Sequence, residues 1–163
     1  MKRTLPWLGL VLIVGLVLIQ FIRPNYTNPP IDASRTIQAR TQISPSVLTI
    51  VQRACDDCHS NHTVWPWYSQ ISPISWYLQH DVQKGRRELN LSDWAAYDQR
   101  RATRKLNQIC EEVTKGAMPT MLYVWLHPSA KLTEADRQVL CEWTRAERQR
   151  LEAATQSILT SAP

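Results

Sequence analysis

No acidic residue precedes Asp32, and the four cysteines do not form two C-x-x-C pairs. The second absence argues against a zinc ribbon, which needs paired C-x-x-C ligands, because Cys110 and Cys141 each stand alone. No βαβ pattern surrounds Cys55 and Cys58, so the setting of a thioredoxin-like redox motif is missing too. No small-x-small site follows the first apolar run. Ile22-Arg23-Pro24-Asn25 stands there instead, which disfavours a cleaved signal peptide. Positive charge is scarce where it would matter for nucleic acid. The chain totals +5, but Lys2, Arg3 and Arg23 flank the first apolar run, and the rest carries 16 basic against 14 acidic residues. That balance argues against nucleic-acid binding. Glycine is also low, at 4, against 7 tryptophans and 10 prolines. Of three methionines one is the initiator, leaving Met118 and Met121.

The 163 residues suffice for one domain and an accessory segment. Leu5 to Ile22 is almost wholly apolar, interrupted by Pro6, Gly9, Gly15 and Gln20. Eighteen helical residues rise about 27 Å, close to the roughly 30 Å hydrocarbon core of a bilayer. Lys2 and Arg3 ahead of the run keep the N-terminus cytoplasmic by the positive-inside tendency. Residues 1–22 therefore read as an uncleaved transmembrane anchor, with the remainder exported. Residues 23–43 hold Pro24, Pro29 and Pro30 and few apolar side chains, and read as an extended linker. A folded domain is expected over 44–155 and a flexible tail over 156–163.

Cys55-Asp56-Asp57-Cys58-His59 is the centre of that domain. C-x-x-C-H is the pattern of covalent c-type haem attachment. Each thiol adds across a porphyrin vinyl group and becomes a thioether, and the adjacent histidine reaches the iron from the proximal side. Haem c attachment takes place outside the bacterial cytoplasm, where the anchor would deliver the domain.

Ser44-Pro45 opens a helix, with serine as cap and proline at its first position, and Val47, Leu48, Val51 and Ala54 recur at helical spacing into Cys55. Trp65, Trp67 and Tyr68 follow the motif. At least one of these rings is expected to wall the porphyrin, the alternative being that all three fill the core. Ser72-Pro73 repeats the capping pattern before a helix with Ile74, Tyr77, Leu78 and Val82 on one face and Gly85 as its stop. A further helical stretch reads from Ser92, its cap, through Trp94, Tyr97, Leu106, Ile109, Cys110 and Val113 to Lys115-Gly116.

Met118-Pro119 follows that stop. Methionine sulfur is a common distal ligand of c-type haem and raises its potential, and proline restrains the residue before it. Met118 is the expected distal ligand. Met121, as core packing, and Met118 as a gap-filler are the alternatives, and His80 leads the rival histidines ahead of His62 and His127. Thr133 to Asp136 resembles a capping box, and Val139, Leu140, Trp143 and Ala146 give the inward stripe of a last helix. Cys110 and Cys141, on inward faces in an oxidising compartment, are expected to pair, with two buried thiols as the alternative.

Several stretches together resemble the bacterial haem-binding domain family of C-x-x-C-H proteins. They are Cys-Asp-Asp-Cys-His-Ser-Asn-His-Thr at 55–63, Trp-Pro-Trp-Tyr at 65–68, Ser-Pro-Ile-Ser-Trp at 72–76, His80, Leu-Asn-Leu-Ser-Asp-Trp at 89–94, Met118-Pro119 and Trp-Leu-His-Pro at 125–128. The resemblance covers roughly 45 to 147. It implies an all-α, compact, cytochrome c-like haem domain, usually behind one N-terminal transmembrane helix. By position it gives Cys55 and Cys58 as the haem attachments, His59 as proximal and Met118 as distal ligand.

The expected protein is a single-pass, membrane-anchored monohaem c-type cytochrome of the bacterial inner membrane. Its haem domain lies in the periplasm or another extracytoplasmic space. It carries one covalent haem c, transfers single electrons to a protein redox partner, and is not an enzyme. The alternative is a haem-based redox or gas sensor with a labile distal ligand. A peroxidase would need an open distal side and an acid–base residue, for which His80 and His62 have no recognisable setting.

Overall fold

In a computed structural model, which describes residues 5–161, every regular element is helical and no strand occurs among the described residues. The first helix, α1 (Leu5–Ile19), is 15 residues long. Tighter turns continue it, with Gln20, Phe21 and Ile22 donating to Val17, Leu18 and Ile19. Among the described residues no helix is long and apolar enough to cross a membrane.

The expected linker is extended through Ile31, but it is packed and not free. Asn28 donates to Thr63, and Tyr26 to the carbonyl of Ser69. A short helix, α2 (Ile37–Arg40), buries Ile37 completely, and Arg35 pairs with Asp93 at 2.7 Å. The sparse apolar content of this stretch is misleading, because one fully buried isoleucine and several backbone carbonyls are enough to hold it.

Helix α3 (Pro45–Ala54) begins as its sequence dictates, with Ser44 accepting from the Val47 amide and proline in the first turn. Its face of Val47, Ile50, Val51 and Ala54 enters the core. A single turn, α4 (Asp56–His59), then carries the cysteine motif, and α5 (Ile74–Glu88) lies against it. Ser72 does not cap α5. Pro73 already has helical dihedrals and takes the cap position, and the Ser72 hydroxyl pairs with that of Ser75. Gly85 is not a stop either, since the helix runs three residues past it. Ile74 and Tyr77 stay about half exposed, and Val82 is the buried member of that face.

Ser92 does not cap the next long helix. Asn90 caps a 3-10 segment over Leu91–Ala96, and Asp98, accepting from Arg101, caps α6 (Gln99–Thr114). Gly116, at φ +70°, ends the stretch, a conformation glycine adopts without strain. Helix α7 (Met121–Leu126) follows. The last, α8 (Glu134–Ser161), starts in a capping box where Thr133 and Asp136 exchange hydrogen bonds, and it continues past the tail boundary expected at 156.

The core lies between α3, α6 and α8 and is closed by Ile37, Leu91 and Trp94. Leu140 and Trp143 supply the α8 face as expected, and Glu147 takes the place foreseen for Ala146, which is exposed. Buried Glu147 is neutralised by Arg150 at 2.7 Å and accepts from the Gln42 amide. Cys110 and Cys141 form a disulfide joining α6 to α8, with Cα atoms 4.8 Å apart.

Candidate functional site

Three elements bring the motif to a cleft. Helix α3 delivers Cys55, the α4 turn presents Cys58 and His59, and α5 backs them. The close approach of α5 depends on Gly85. A β-carbon there would sit 2.5 Å from the carbonyl oxygen of Cys58. This is the role of a glycine whose position in the helix suggested a terminus.

Gly85 also serves the histidine. The Nδ1 of His59 lies 3.0 Å from the Gly85 carbonyl and 3.1 Å from that of Leu89. Carbonyl oxygens only accept, so Nδ1 carries the proton and Nε2 keeps its lone pair. Such a bond to the far nitrogen fixes the tautomer and ring direction of a metal-ligating histidine. Burial lowers the His59 pKa, against the pull of the two carbonyls, so the ring is neutral and able to ligate.

His59 faces a cleft of two lobes, of about 280 and 300 Å3. Small-molecule sites span roughly 300–1,000 Å3. His59, Ala54, Glu88, Met118 and Pro119 line both lobes, while Cys55 lines one and Cys58 the other. Leu89, Ile109, Val113 and Leu132 make the first lobe apolar. Tyr77, Asp81, Lys84 and Tyr123 line the second. The structure thus assembles Cys55, Cys58, His59 and Met118 around one space.

The aromatic expectations fare differently. Neither Trp65 nor Trp67 lines either lobe. Trp65 packs edge-on to Tyr26 at 4.8 Å, and Trp67 is 78% exposed. Tyr68 lines a small adjoining cavity with Cys58 and Tyr123. The chain turns away from the cleft after the motif, so proximity in sequence is no guide here, and aliphatic residues from α6 and the loop before α8 form the wall instead. Sequence periodicity marks Ile109 and Val113 as inward; nothing local marks Leu132 or Tyr123. His80 and His62 are exposed and line neither lobe, whereas His127 stacks on Tyr123 at 4.3 Å.

Asp57, between the two cysteines, ties the motif to its surroundings. It accepts from the Val64 amide at 3.0 Å and from the Tyr123 hydroxyl at 2.6 Å. Burial, and then the bond to Asp57, raise the Tyr123 pKa, so the phenol stays a donor. Asp56 faces the other way, and burial pushes its carboxyl up to about 6.

The thiols are free, and burial pushes Cys55 up to about 12 and Cys58 up to about 11. Thiols held in this form are the species that add across a vinyl group to give a thioether. Among the described residues no group of three or more histidine, cysteine or acidic side chains is placed to hold a metal ion. Two protonated thiols beside an oriented histidine, an apolar cleft and a methionine at its edge fit a haem.

Fold and site thus define a helical domain built around a histidine-bearing cleft. A family model described as the haem-binding domain matches residues 14–146, and the chain belongs to that family. No curated protein matches the chain. No solved structure matches it either.

Proposed function

We propose that the chain holds one haem covalently, through thioethers at Cys55 and Cys58, and carries single electrons. His59 is the proximal ligand and Met118 the distal one. The observation that carries this reading is the His59 tautomer: two backbone carbonyls hold Nδ1–H, which directs a bare Nε2 into a cleft that Met118 shares. The bound haem supplies reversible one-electron exchange. The protein orients the ligating nitrogen, offers a thioether sulfur, and lines one lobe with Leu89, Ile109, Val113 and Leu132. Were His59 and Met118 both to hold the haem iron, no position would be left for a substrate, so the proposed role is electron transfer to a protein partner and not catalysis.

The proposed location is outside the cytoplasm behind an N-terminal membrane anchor. Trp7, Leu8, Leu10 and Leu16, on different sides of α1, are each more than half exposed. An apolar helix uncovered all round is suited to lipid and not to water. The described 15 residues rise roughly 22 Å, and the turns to Ile22 extend the apolar length toward the roughly 30 Å of a bilayer core.

Haem staining that follows the polypeptide through denaturing electrophoresis tests covalency, and loss of stain in Cys55→Ala/Cys58→Ala is expected. A low-spin spectrum indifferent to carbon monoxide tests the distal side. Met118→Ala should make the ferrous protein bind carbon monoxide and lower its potential; a spectrum that does not change removes Met118 from the coordination. A second reading, a redox or gas sensor, rests on the 38% exposure of Met118 at the cleft edge, where a small ligand could displace it. Ready carbon monoxide binding by the unaltered protein would favour that reading.

A further inference from the structure

Two stretches of the domain carry no Asp, Glu, Lys or Arg. They run from His62 to His80 and from Gly116 to Ala130. The fold brings them together. Ile74, from the first, lines one small cavity with Leu122 and Leu126 from the second. Trp67 packs edge-on to Tyr68, which lines the same cavity. The outcome is an uncovered apolar face. Trp67 is 78% exposed, Trp125 76%, Leu122 47%, Ile74 46%, Ile71 41% and Leu126 40%. Helix α7 buries none of its six residues.

This face adjoins the end of α1. The Gln20 side chain donates to the Ser72 carbonyl at 3.1 Å and accepts from the Ser72 amide at 2.9 Å. The Trp76 indole donates to the Ile22 carbonyl at 2.8 Å. Three hydrogen bonds therefore fix the exit of the apolar helix to the start of α5, one residue from Ile71. Phe21 and Ile22, 80% and 62% exposed, continue the apolar surface across the junction.

We propose that this face is a second membrane contact: the haem domain rests on the lipid surface with Trp67, Trp125, Leu122 and Ile74 in the interface. The proposal depends on the anchored reading of α1. Its reasons are continuity with that helix, the lack of charge within the two stretches, where only Asp81 at the shared cavity and Arg23 beside Gln70 come near, and the type of side chain, since tryptophan favours the boundary between headgroups and hydrocarbon. Contact also supplies apolar depth next to a helix shorter than the hydrocarbon core. Thr120 and Tyr123, at the start of α7, line the second lobe, so docking would place that lobe near the bilayer and leave the Lys105–Gln108 side toward solution.

The test uses full-length, haem-loaded protein in nanodiscs of phosphatidylcholine and phosphatidylglycerol, followed by hydrogen exchange. Peptides from 5–22 and 119–127 are compared between wild type and Leu122→Glu/Trp125→Glu. The expected result is protection of 5–22 in both. Residues 119–127 should exchange slower in wild type by on the order of tenfold, with identical haem spectra. Lipids brominated near the headgroup supply a readout independent of helix stability. They should quench tryptophan emission in wild type, and the quenched fraction should fall in Trp67→Phe/Trp125→Phe. Protection of 5–22 with equal exchange at 119–127 and equal quenching overturns the docking but leaves the anchor intact. Free exchange at 5–22 overturns the anchor and the docking with it.

Discussion

Gly85→Ala sets two known effects against each other. Gly85 lies inside α5, and alanine in a helix interior is favoured over glycine by about 1 kcal/mol. Propensity alone therefore predicts a more stable protein. The added methyl group, however, would lie 2.5 Å from the Cys58 carbonyl oxygen and 3.1 Å from its carbonyl carbon. Close C–H···O contacts lie near 3.3 Å, so α5 and the motif turn must part by about 0.8 Å. Both partners are backbone, and neither can rotate away. Overpacking of this kind costs about 1–3 kcal/mol, and a backbone clash belongs at the upper end. The net expectation is a loss of about 2 kcal/mol, or about 4–8 °C in Tm for a chain of this size. Thermal unfolding followed by circular dichroism measures it. The same displacement lengthens the His59 Nδ1 bond to the Gly85 carbonyl, so the haem spectrum should change as well. A variant that melts at or above wild type with an unaltered spectrum would refute the reasoning, because propensity would then have outweighed the contact.

Tyr123→Phe removes the hydroxyl from Asp57 and leaves a carboxylate oxygen without that partner; a loss of about 2 kcal/mol in urea unfolding is expected, and unchanged stability would show the bond to be dispensable. The Cys110–Cys141 bond closes a separation of 31 residues, so Cys110→Ser/Cys141→Ser should cost about 3–4 kcal/mol, and non-reducing peptide mapping should recover the joined pair. Asp136 gives the pH dependence. Partial burial pushes its carboxyl up, but bonds from Arg53 and Thr133 outweigh that and hold it at about 2. A depressed carboxyl contributes stability above its unfolded value near 3.9, and that contribution is lost as pH falls toward 2. Acid melting curves of Asp136→Asn should lack this part of the wild-type decline; parallel curves would remove Asp136 from it.

Sequence by itself determined several helix ends and the resemblance to a haem-binding domain. Ser44-Pro45, the Thr133 box and Gly116 set helix ends through neighbouring atoms alone, and local rules therefore reach them. Cys55, Cys58 and His59 are equally local, because the proposed thioether attachment and ligation need adjacent residues. The pairing of Cys110 with Cys141 was legible from inward periodicity and number, although only the packing of α6 on α8 brings the sulfurs within reach.

Tertiary structure decided everything that depends on where one helix meets another. Gly85 has the same local signature as a helix stop, and only the approach of α5 to Cys58 reveals why a side chain is excluded. The wall of the cleft comes from Leu89, Ile109, Val113 and Leu132, far from the motif in sequence, while Trp65 and Trp67 beside it point elsewhere. Periodicity tells which face of a helix is inward but not what that face meets. The orientation of His59 has the same origin. Its residue type follows from the motif, but the proton on Nδ1 is set by carbonyls 26 and 30 positions away in the chain, which only the folded chain can bring to it.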